Sequence, residues 1–282
     1  MMKILSSNIL KKIGRLLWYC RSRFSFLDFP IPCRLPYGSW FLARGDESGL
    51  IAFFRLPYEK KEWKFLQKFL KPGMAFFDIG ANQGFYTLLA AKKVGPQGKI
   101  FAFEPVPREF RNLKWNIFIN GLKNVKIEAQ ALGCQNGFTN MFYCLNGKGS
   151  YSSLQPPSEK IKARRKVIKV SITSLDRYIQ HNNILSIDFI KIDVEGGELD
   201  VLKGGINVLS KSRPVLMCEV SDKRTEQWGY SASEICDFVK KYKYQWFKFA
   251  FEDSLSPLDD KAIFDENLLA IPEEKIKSFS II

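Results

Sequence analysis

The chain has 282 residues, of which 46% are hydrophobic, and its net charge at pH 7 is +14. That length allows one large α/β domain with an N-terminal extension or two small domains, and one domain is the simpler prediction. The six cysteines form no C-x-x-C pair and the chain has a single histidine, so neither a zinc cluster nor a disulfide framework is indicated and a cytoplasmic location is expected.

The N-terminal segment 1–28 is predicted to be a basic amphipathic helix. Its first 27 residues contain six basic side chains and no acidic one. Leu5, Ile9 and Ile13 follow helical spacing and form an apolar stripe beside the basic face. Such a helix either packs on the rest of the chain or contacts an anionic membrane at its inner face. The longest apolar run, 16–20, is too short for a signal peptide or a membrane span.

Residues 29–72 are predicted to be a lead-in of short strands and one helix. The strand-like pieces are 39–43 and 50–55, and helical spacing covers 59–70 before Pro72 and Gly73. The first strand of the main domain is expected directly after that break.

The segment 75–91, AFFDIGANQGFYTLLAA, is the most informative part of the chain. An apolar run ends at Asp78, a turn holds Gly80 and Gly84, and a helical segment follows. This order predicts a buried parallel strand, a tight turn that a ligand can approach, and a helix N-terminus with free N–H groups. It is half of a nucleotide-type pocket.

The next strand, 99–103, supplies the other half because it ends in Glu104. A carboxylate at that place can accept hydrogen bonds from both hydroxyls of a ribose. Asn82 stands where a dinucleotide fingerprint has its second glycine, so a pyrophosphate would be crowded. S-adenosylmethionine carries no phosphate, and its ammonium and carboxylate could be held by Asp78, directly or through water, and by the turn amides. It is therefore the predicted cofactor.

Strands and helices alternate along the rest of the chain, which predicts a parallel sheet with right-handed crossovers. A strand pair is expected as an insertion at 138–172, where it can roof the pocket. The predicted helices are 107–120, 174–180, 197–209 and 233–241. The predicted strands are 125–131, 187–192, 215–220, 245–249 and 267–271, giving seven in the sheet.

A second constellation lies in IKIDVEGGE at the end of the strand 187–192. Alternation puts Lys191 and Asp193 on one side, and a charged pair in an apolar strand indicates a site. Glu219 ends the neighbouring strand. Asp193 and Glu219 could act as general base and orienting group, or together hold a divalent cation. Glu195 and Glu198 are interpreted as acids at a helix start.

The basic cluster at 160–169, by contrast, is either a solvated face or a collector of an anionic substrate.

The chain resembles the FkbM-type S-adenosylmethionine-dependent methyltransferases. The similarity consists of FFDIGANQGFYTLLAA at 76–91, FAFEPVP at 101–107, ALG at 131–133, SYSSL at 150–154, SLD at 174–176 and IDFIKIDVEGGELDVLKGG at 187–205. The resemblance implies a class I, Rossmann-like methyltransferase domain over 73–275, with helices on both faces of a seven-stranded sheet and an antiparallel last strand.

That resemblance also implies roles for individual residues. Asp78, Gly80, Asn82 and Gly84 would form the methionine-side turn, Glu104 the ribose clamp, and Ala131 a further cofactor contact. By looser analogy with metal-dependent catechol-type enzymes, Asp193 and Glu219 would face the methyl-transfer site, with Lys191 beside them. The implied activity is O-methylation of a sugar, a glycan or a related metabolite.

Two other functions remain open at this point. The net charge of +14 permits RNA as a substrate, although no RNA-binding module accompanies the domain. The other function is that of a basic adaptor in a membrane or glycan complex, which keeps the cofactor fold but catalyses no reaction. The presence of Asp78, Glu104 and Asp193 argues against it.

Overall fold

The structure is a computed structural model that describes residues 18, 21, 28–56, 58–145, 149–156, 164–250, 254–259 and 264–279. The predicted basic helix therefore lies outside the described residues apart from Trp18, Arg21 and Asp28. The Trp18 side chain is buried, and its Nε1 donates a hydrogen bond to the backbone oxygen of Asp46 at 2.9 Å. Among the described residues, no helix has the length and apolarity needed to cross a membrane.

The described residues form thirteen strands in three sheets. They are β1 Ile31–Arg34, β2 Trp40–Ala43, β3 Ala75–Ile79, β4 Lys99–Phe103, β5 Val125–Glu128, β6 Gln130–Leu132, β7 Gly137–Cys144, β8 Arg165–Thr173, β9 Phe189–Ile192, β10 Val215–Ser221, β11 Tyr244–Phe249, β12 Leu255–Pro257 and β13 Asp265–Pro272. The α-helices are α1 Glu47–Phe54, α2 Lys60–Phe69, α3 Phe85–Val94, α4 Pro107–Ile119, α5 Leu175–His181, α6 Glu198–Lys203, α7 Asp222–Thr225, α8 Ala232–Lys240 and α9 Ile276–Phe279.

The central sheet has the order β12-β11-β13-β10-β9-β3-β4-β5. Strands β5, β4, β3, β9 and β10 are parallel, whereas β13 runs antiparallel between β10 and β11. The sheet is thus mostly parallel with an antiparallel last long strand, which confirms the predicted class I methyltransferase architecture. The short edge strand β12 adds an eighth member to the seven predicted.

Helices cover both faces of this sheet because successive strand residues point to opposite sides. Phe77, Ile190 and Leu216 contribute to the core on one face. Phe76 and Phe189 contribute to the core on the other, where α2, α3 and the lead-in pack. The central strands are therefore buried on both faces, as expected of parallel strands with helical crossovers.

The predicted insertion contains the expected strand pair, since β7 and β8 pair antiparallel. They form a separate three-stranded sheet with β6, which runs parallel to β8. The predicted strand 125–131 is therefore wrong as a single element: the chain leaves the central sheet after Glu128 and joins the second sheet at Gln130. The predicted helix 197–209 likewise ends early, at Lys203, followed by a π-turn at Val208–Ser212.

The predicted strand 50–55 is also wrong, because this segment lies in α1. Its apolar run suits a strand and a buried helix equally well. The helix is selected by Asp46, whose Oδ1 accepts a hydrogen bond from the backbone N–H of Gly49 at 2.8 Å and so caps the N-terminus.

The same Asp46 side chain attaches the lead-in to the main domain. Its Oδ2 accepts hydrogen bonds from Gln83 Nε2 and Arg108 Nη2, each at 2.8 Å. Gln83 belongs to the glycine-rich turn and also donates to Glu109 Oε2 at 2.9 Å. A buried polar network of this kind holds α1 over the turn that follows β3.

A close backbone approach joins that turn to the end of β9. Gly80 has φ +81°, and a Cβ atom there would lie 1.8 Å from the backbone oxygen of Asp193. The backbone N–H of Asp193 donates to the carbonyl of Ile79 at 3.0 Å. Glycine is required at position 80 for both its conformation and its lack of a side chain.

We expect Asp46→Ala to lower the free energy of unfolding by about 2–4 kcal/mol, because the variant loses the helix cap and leaves the partly buried Arg108 and the buried Gln83 with one partner fewer. Urea denaturation measures the change. The matched control is Asp237→Ala, an exposed acid whose nearest cation lies 4.0 Å away, and its effect should stay within about 0.5 kcal/mol. Equal effects of the two variants would show that the network contributes nothing.

Gly80→Ala should cost more than about 3 kcal/mol of unfolding free energy, since a backbone atom rather than a mobile side chain blocks the new methyl group. Gly121→Ala is the control, because Gly121 also has a positive φ, +63°, but nothing within 4 Å of its Cβ position. That variant should lose about 1 kcal/mol from backbone strain alone. A similar cost for both would mean that the close approach to Asp193 does not constrain the fold.

Candidate active site

A cavity of about 300 Å³ lies at the carboxyl ends of β3, β4, β9 and β10. Ligands of open α/β sheets bind at this edge. The lead-in contributes Glu47, Ser48 and Ile51 of α1 to the wall, and the insertion contributes 149–152. The roof predicted for 138–172 is therefore present, and a second part of it comes from the lead-in.

Four of the six predicted cofactor residues line the cavity: Gly80, Asn82, Glu104 and Ala131. Asp78 and Gly84 lie behind the wall. Asp78 is fully buried and accepts a hydrogen bond from Thr87 Oγ1 at 2.6 Å, while its other oxygen, Oδ1, has no hydrogen-bond partner among the described residues.

The amides of the glycine-rich turn are largely engaged within the protein. The N–H groups of Gly80 and Ala81 both donate to the carbonyl of Phe103, at 3.0 and 2.9 Å. The turn therefore lets a ligand approach its backbone closely, but it does not offer the free amides that the sequence suggested. Asn82 lines the same surface, and its buried Oδ1 has no hydrogen-bond partner among the described residues.

Glu104 is held rigidly beside this turn. Its Oε2 accepts from the backbone N–H of Asn82 and its Oε1 from that of Val106, both at 2.8 Å. Burial raises the pKa of Glu104 to about 8 against the opposing effect of these two hydrogen bonds. Each oxygen keeps a further lone pair for a ligand hydroxyl.

The pair predicted on β9 is formed. Lys191 Nζ lies 2.9 Å from Asp193 Oδ2 and 4.8 Å from the centroid of the Tyr86 ring. Burial opposes the charge of Lys191, but Asp193, Asp78 and Glu59 together raise its pKa above the ordinary value. The lysine is thus a buried cation that holds Asp193 in place.

Glu219 lies beside Asp193, as the neighbouring strand ends predicted, and Glu195 joins them. Carboxylate oxygens of these three residues lie within 4.8 Å of one another. Burial and the nearby carboxylate of Asp193 raise the pKa of Glu219 well above its ordinary value. Its Oε2 is buried and has no hydrogen-bond partner among the described residues.

Arg224 neutralises part of this cluster. Its Nε lies 3.1 Å from Glu195 Oε2 and 3.9 Å from Glu219 Oε1. The guanidinium also covers the Tyr151 ring at 4.9 Å, which connects the insertion to this side of the cavity. Since Arg224 already balances the charge of Glu195, the cluster fits a divalent cation poorly.

Sequence reasoning missed Glu59, Glu195 and Arg224. Glu195 looked like a carboxylate at a helix start, but that role belongs to Glu198, whose Oε1 accepts from the N–H groups of Val194 and Gly196 at 2.9 and 3.2 Å. Glu195 instead adopts φ +59° and turns back toward β10. A glutamate followed by two glycines was the available signal for such a turn.

The described part of the basic cluster, Arg164, Arg165, Lys166 and Lys169, does not line the cavity. These side chains lie on and beside β8, and Lys169 is over the Phe138 ring at 5.0 Å. These four side chains therefore do not contact a ligand in this cavity.

The chain is similar to known methyltransferases. The model of the family "Methyltransferase FkbM domain" matches residues 78–246. The 2-O-methyltransferase NoeI of Sinorhizobium fredii is 27% identical over 184 residues, 61% of this chain and 74% of the relative. The 31-O-demethyl-FK506 methyltransferase FkbM of Streptomyces tacrolimicus is 27% identical over 159 residues, 48% of this chain and 60% of the relative.

A solved structure of methyltransferase FkbM from Methylobacillus flagellatus is similar as well. It has a TM-score of 0.49 and 14% identity, and the alignment covers 78% of this chain and 49% of that one. The chain thus spans less than two thirds of some of the proteins it resembles.

The family match covers more than half of the chain. It contains the glycine-rich turn with Glu104 and the strand ends that carry Asp193 and Glu219. It confirms the class predicted from the sequence, an S-adenosylmethionine-dependent methyltransferase. The chain belongs to the methyltransferase FkbM domain family.

Proposed function

We propose that this methyltransferase acts on a hydroxyl oxygen of a sugar, a glycan or a related metabolite. The observation that carries the proposal is a single cavity that joins a ribose-type carboxylate, Glu104, to the carboxylate cluster of Asp193, Glu195 and Glu219. The names of the relatives NoeI and FkbM, a 2-O-methyltransferase and a 31-O-demethyl-FK506 methyltransferase, support oxygen as the acceptor atom.

The cofactor half of the cavity fits S-adenosylmethionine. Glu104 accepts hydrogen bonds from the ribose hydroxyls through its remaining lone pairs. Asn82, whose buried Oδ1 has no hydrogen-bond partner among the described residues, would hold the ammonium of the methionine part. Gly80 and Ala131 allow close approach, while Asp78 and Gly84 support the turn from behind.

The acceptor half provides the proton transfer that methylation of a hydroxyl needs. When bound, the cofactor supplies an electrophilic methyl group. Glu219 takes the hydroxyl proton, because its raised pKa makes it a stronger base than an ordinary carboxylate. Asp193, fixed by Lys191, accepts a hydrogen bond from the acceptor and orients it. No step requires a divalent cation.

The comparisons do not favour the RNA methyltransferase or the non-catalytic adaptor. We retain as proposals a cytoplasmic location and a peripheral contact of residues 1–27 with anionic membrane. Six basic residues and no acidic one in that segment support the contact. Flotation with anionic liposomes, for chains with and without residues 1–27, tests it; equal flotation would exclude it.

Glu104→Gln should weaken binding of S-adenosylmethionine by about 10- to 100-fold, because a glutamine amide presents a donor where the ribose hydroxyls must donate. Isothermal titration calorimetry measures this loss. Glu128→Gln, at the end of β5 and outside the cavity wall, is the control and should bind normally. Wild-type protein that fails to bind the cofactor would overturn the proposed function.

The same titration has an expected pH dependence. The pKa of Glu104 is about 8 in the free protein, and hydroxyl donors favour the charged carboxylate, so binding lowers this pKa and releases a proton. Affinity should therefore rise as the pH increases toward about 8. Buffers of different ionisation enthalpy detect the proton, and Glu104→Gln should not release it.

Glu219→Gln should reduce kcat by about 10²- to 10⁴-fold and leave cofactor affinity unchanged, since only the base is removed. The measurement is methyl transfer from tritiated S-adenosylmethionine to an extract of the organism that encodes the chain. The wild-type rate should rise with pH through the raised pKa of Glu219, and the variant should lose that rise. Glu226→Gln, an exposed acid nearby, is the control; a rise that persists in Glu219→Gln would assign the base elsewhere.

A further inference from the structure

The wall of the active-site cavity is rich in acidic side chains, although the chain as a whole is strongly basic. Its described lining contains six acidic and two basic side chains. The acids are Glu47, Glu59, Glu104, Asp193, Glu195 and Glu219, and the bases are Lys191 and Arg224. From this distribution we infer that the acceptor unit entering the cavity is uncharged or bears an ammonium group, and carries neither phosphate nor carboxylate. This inference rests on the proposed function.

Both cations are already paired inside the wall. Lys191 lies 2.9 Å from Asp193, and only 3% of its surface is exposed. Arg224 lies 3.1 Å from Glu195 and stacks on Tyr151. A phosphate or carboxylate on the acceptor would therefore have to displace an existing ion pair before it gained a partner.

Carboxylate oxygens without a hydrogen-bonded cation remain at the acceptor end. Glu219 has a buried oxygen, Oε2, with no hydrogen-bond partner among the described residues, and Glu59 accepts hydrogen bonds from the neutral donors Tyr86 and Asn267. An anionic group brings no donor to the free oxygen of Glu219, whereas a hydroxyl or ammonium donor would satisfy it.

The uncharged part of the wall suits the same class of acceptor. Tyr58, Tyr151 and Trp228 line the cavity, and aromatic faces pack against sugar rings and attract cations. The buried Nε1 of Trp228 has no hydrogen-bond partner among the described residues, so it offers a neutral donor to an acceptor oxygen. Donors and acceptors for a hydroxylated ring are thus both present.

The described basic side chains of the 160–169 cluster lie elsewhere. Arg165, Lys166 and Lys169 are on the exposed part of β8, outside the cavity wall. The sequence-based expectation of an anionic acceptor depended on this cluster. The described part of the cluster lies outside the wall and gives that expectation no support, and the acidic wall favours the opposite charge class.

The test determines the charge of the methylated unit. The full chain is incubated with tritiated S-adenosylmethionine and a small-molecule and glycan extract of the encoding organism. Labelled products are cleaved to single units with dilute acid, under conditions that spare phosphomonoesters and carboxylates, and passed over an anion exchanger at neutral pH. The expected result is label in the flow-through, with an ammonium-bearing unit retained instead by a cation exchanger.

Retention of the labelled unit on the anion exchanger would overturn the inference while leaving the proposed methyl transfer intact. If protein that binds the cofactor in calorimetry transfers no label, the proposed function itself is overturned. Glu104→Gln, incubated in parallel, is the control: its label should fall about 10-fold or more at low cofactor concentration, which shows that the product depends on this cavity.

Discussion

The contact between the turn after β3 and the end of β9 is the constraint on which the site depends. Gly80 brings its backbone so close to the Asp193 carbonyl that no side chain fits between them, and the Asp193 N–H bonds to Ile79. Two adjacent parallel strands thereby end at one edge with their loops in contact. The glycine-rich turn and the carboxylate cluster share a cavity because of this approach, and a wider separation would divide them.

Charge burial is the second organising feature. Lys191 lies among Asp193, Asp78 and Glu59, and Arg224 lies between Glu195 and Glu219, so each buried cation offsets more than one carboxylate. The desolvation cost of such a cluster is large, and acids outnumber bases along the wall. Burial, together with the nearby carboxylate of Asp193, raises the pKa of Glu219 and makes it a better base, so the same acid-rich wall underlies both the proposed proton transfer and the inferred charge of the acceptor.

The main elements were predictable because their signals are local. Apolar runs that end in glycine-containing turns, followed by helical spacing, predicted β3 with α3 and β9 with the loop before α6. Predictions were wrong where local signals were ambiguous. The apolar run 50–54 suits a strand or a helix, and β5 and β6 look continuous although the chain changes sheet at residue 129. Tertiary pairing, rather than propensity, decided both cases.

The amino-acid sequence alone indicates the family, the alternation of strands and helices and the residues at strand ends, since a strand, a tight turn and a helix start lie within a few residues of one another. Which side chains meet depends on the folded chain. Glu59 of the lead-in lies near enough to Lys191 to raise its pKa, and Arg224 reaches Glu195 from beyond β10, so no spacing in the chain predicts either interaction. The acidic character of the cavity is likewise invisible in a chain of net charge +14, because charge at a site depends on which residues folding brings together.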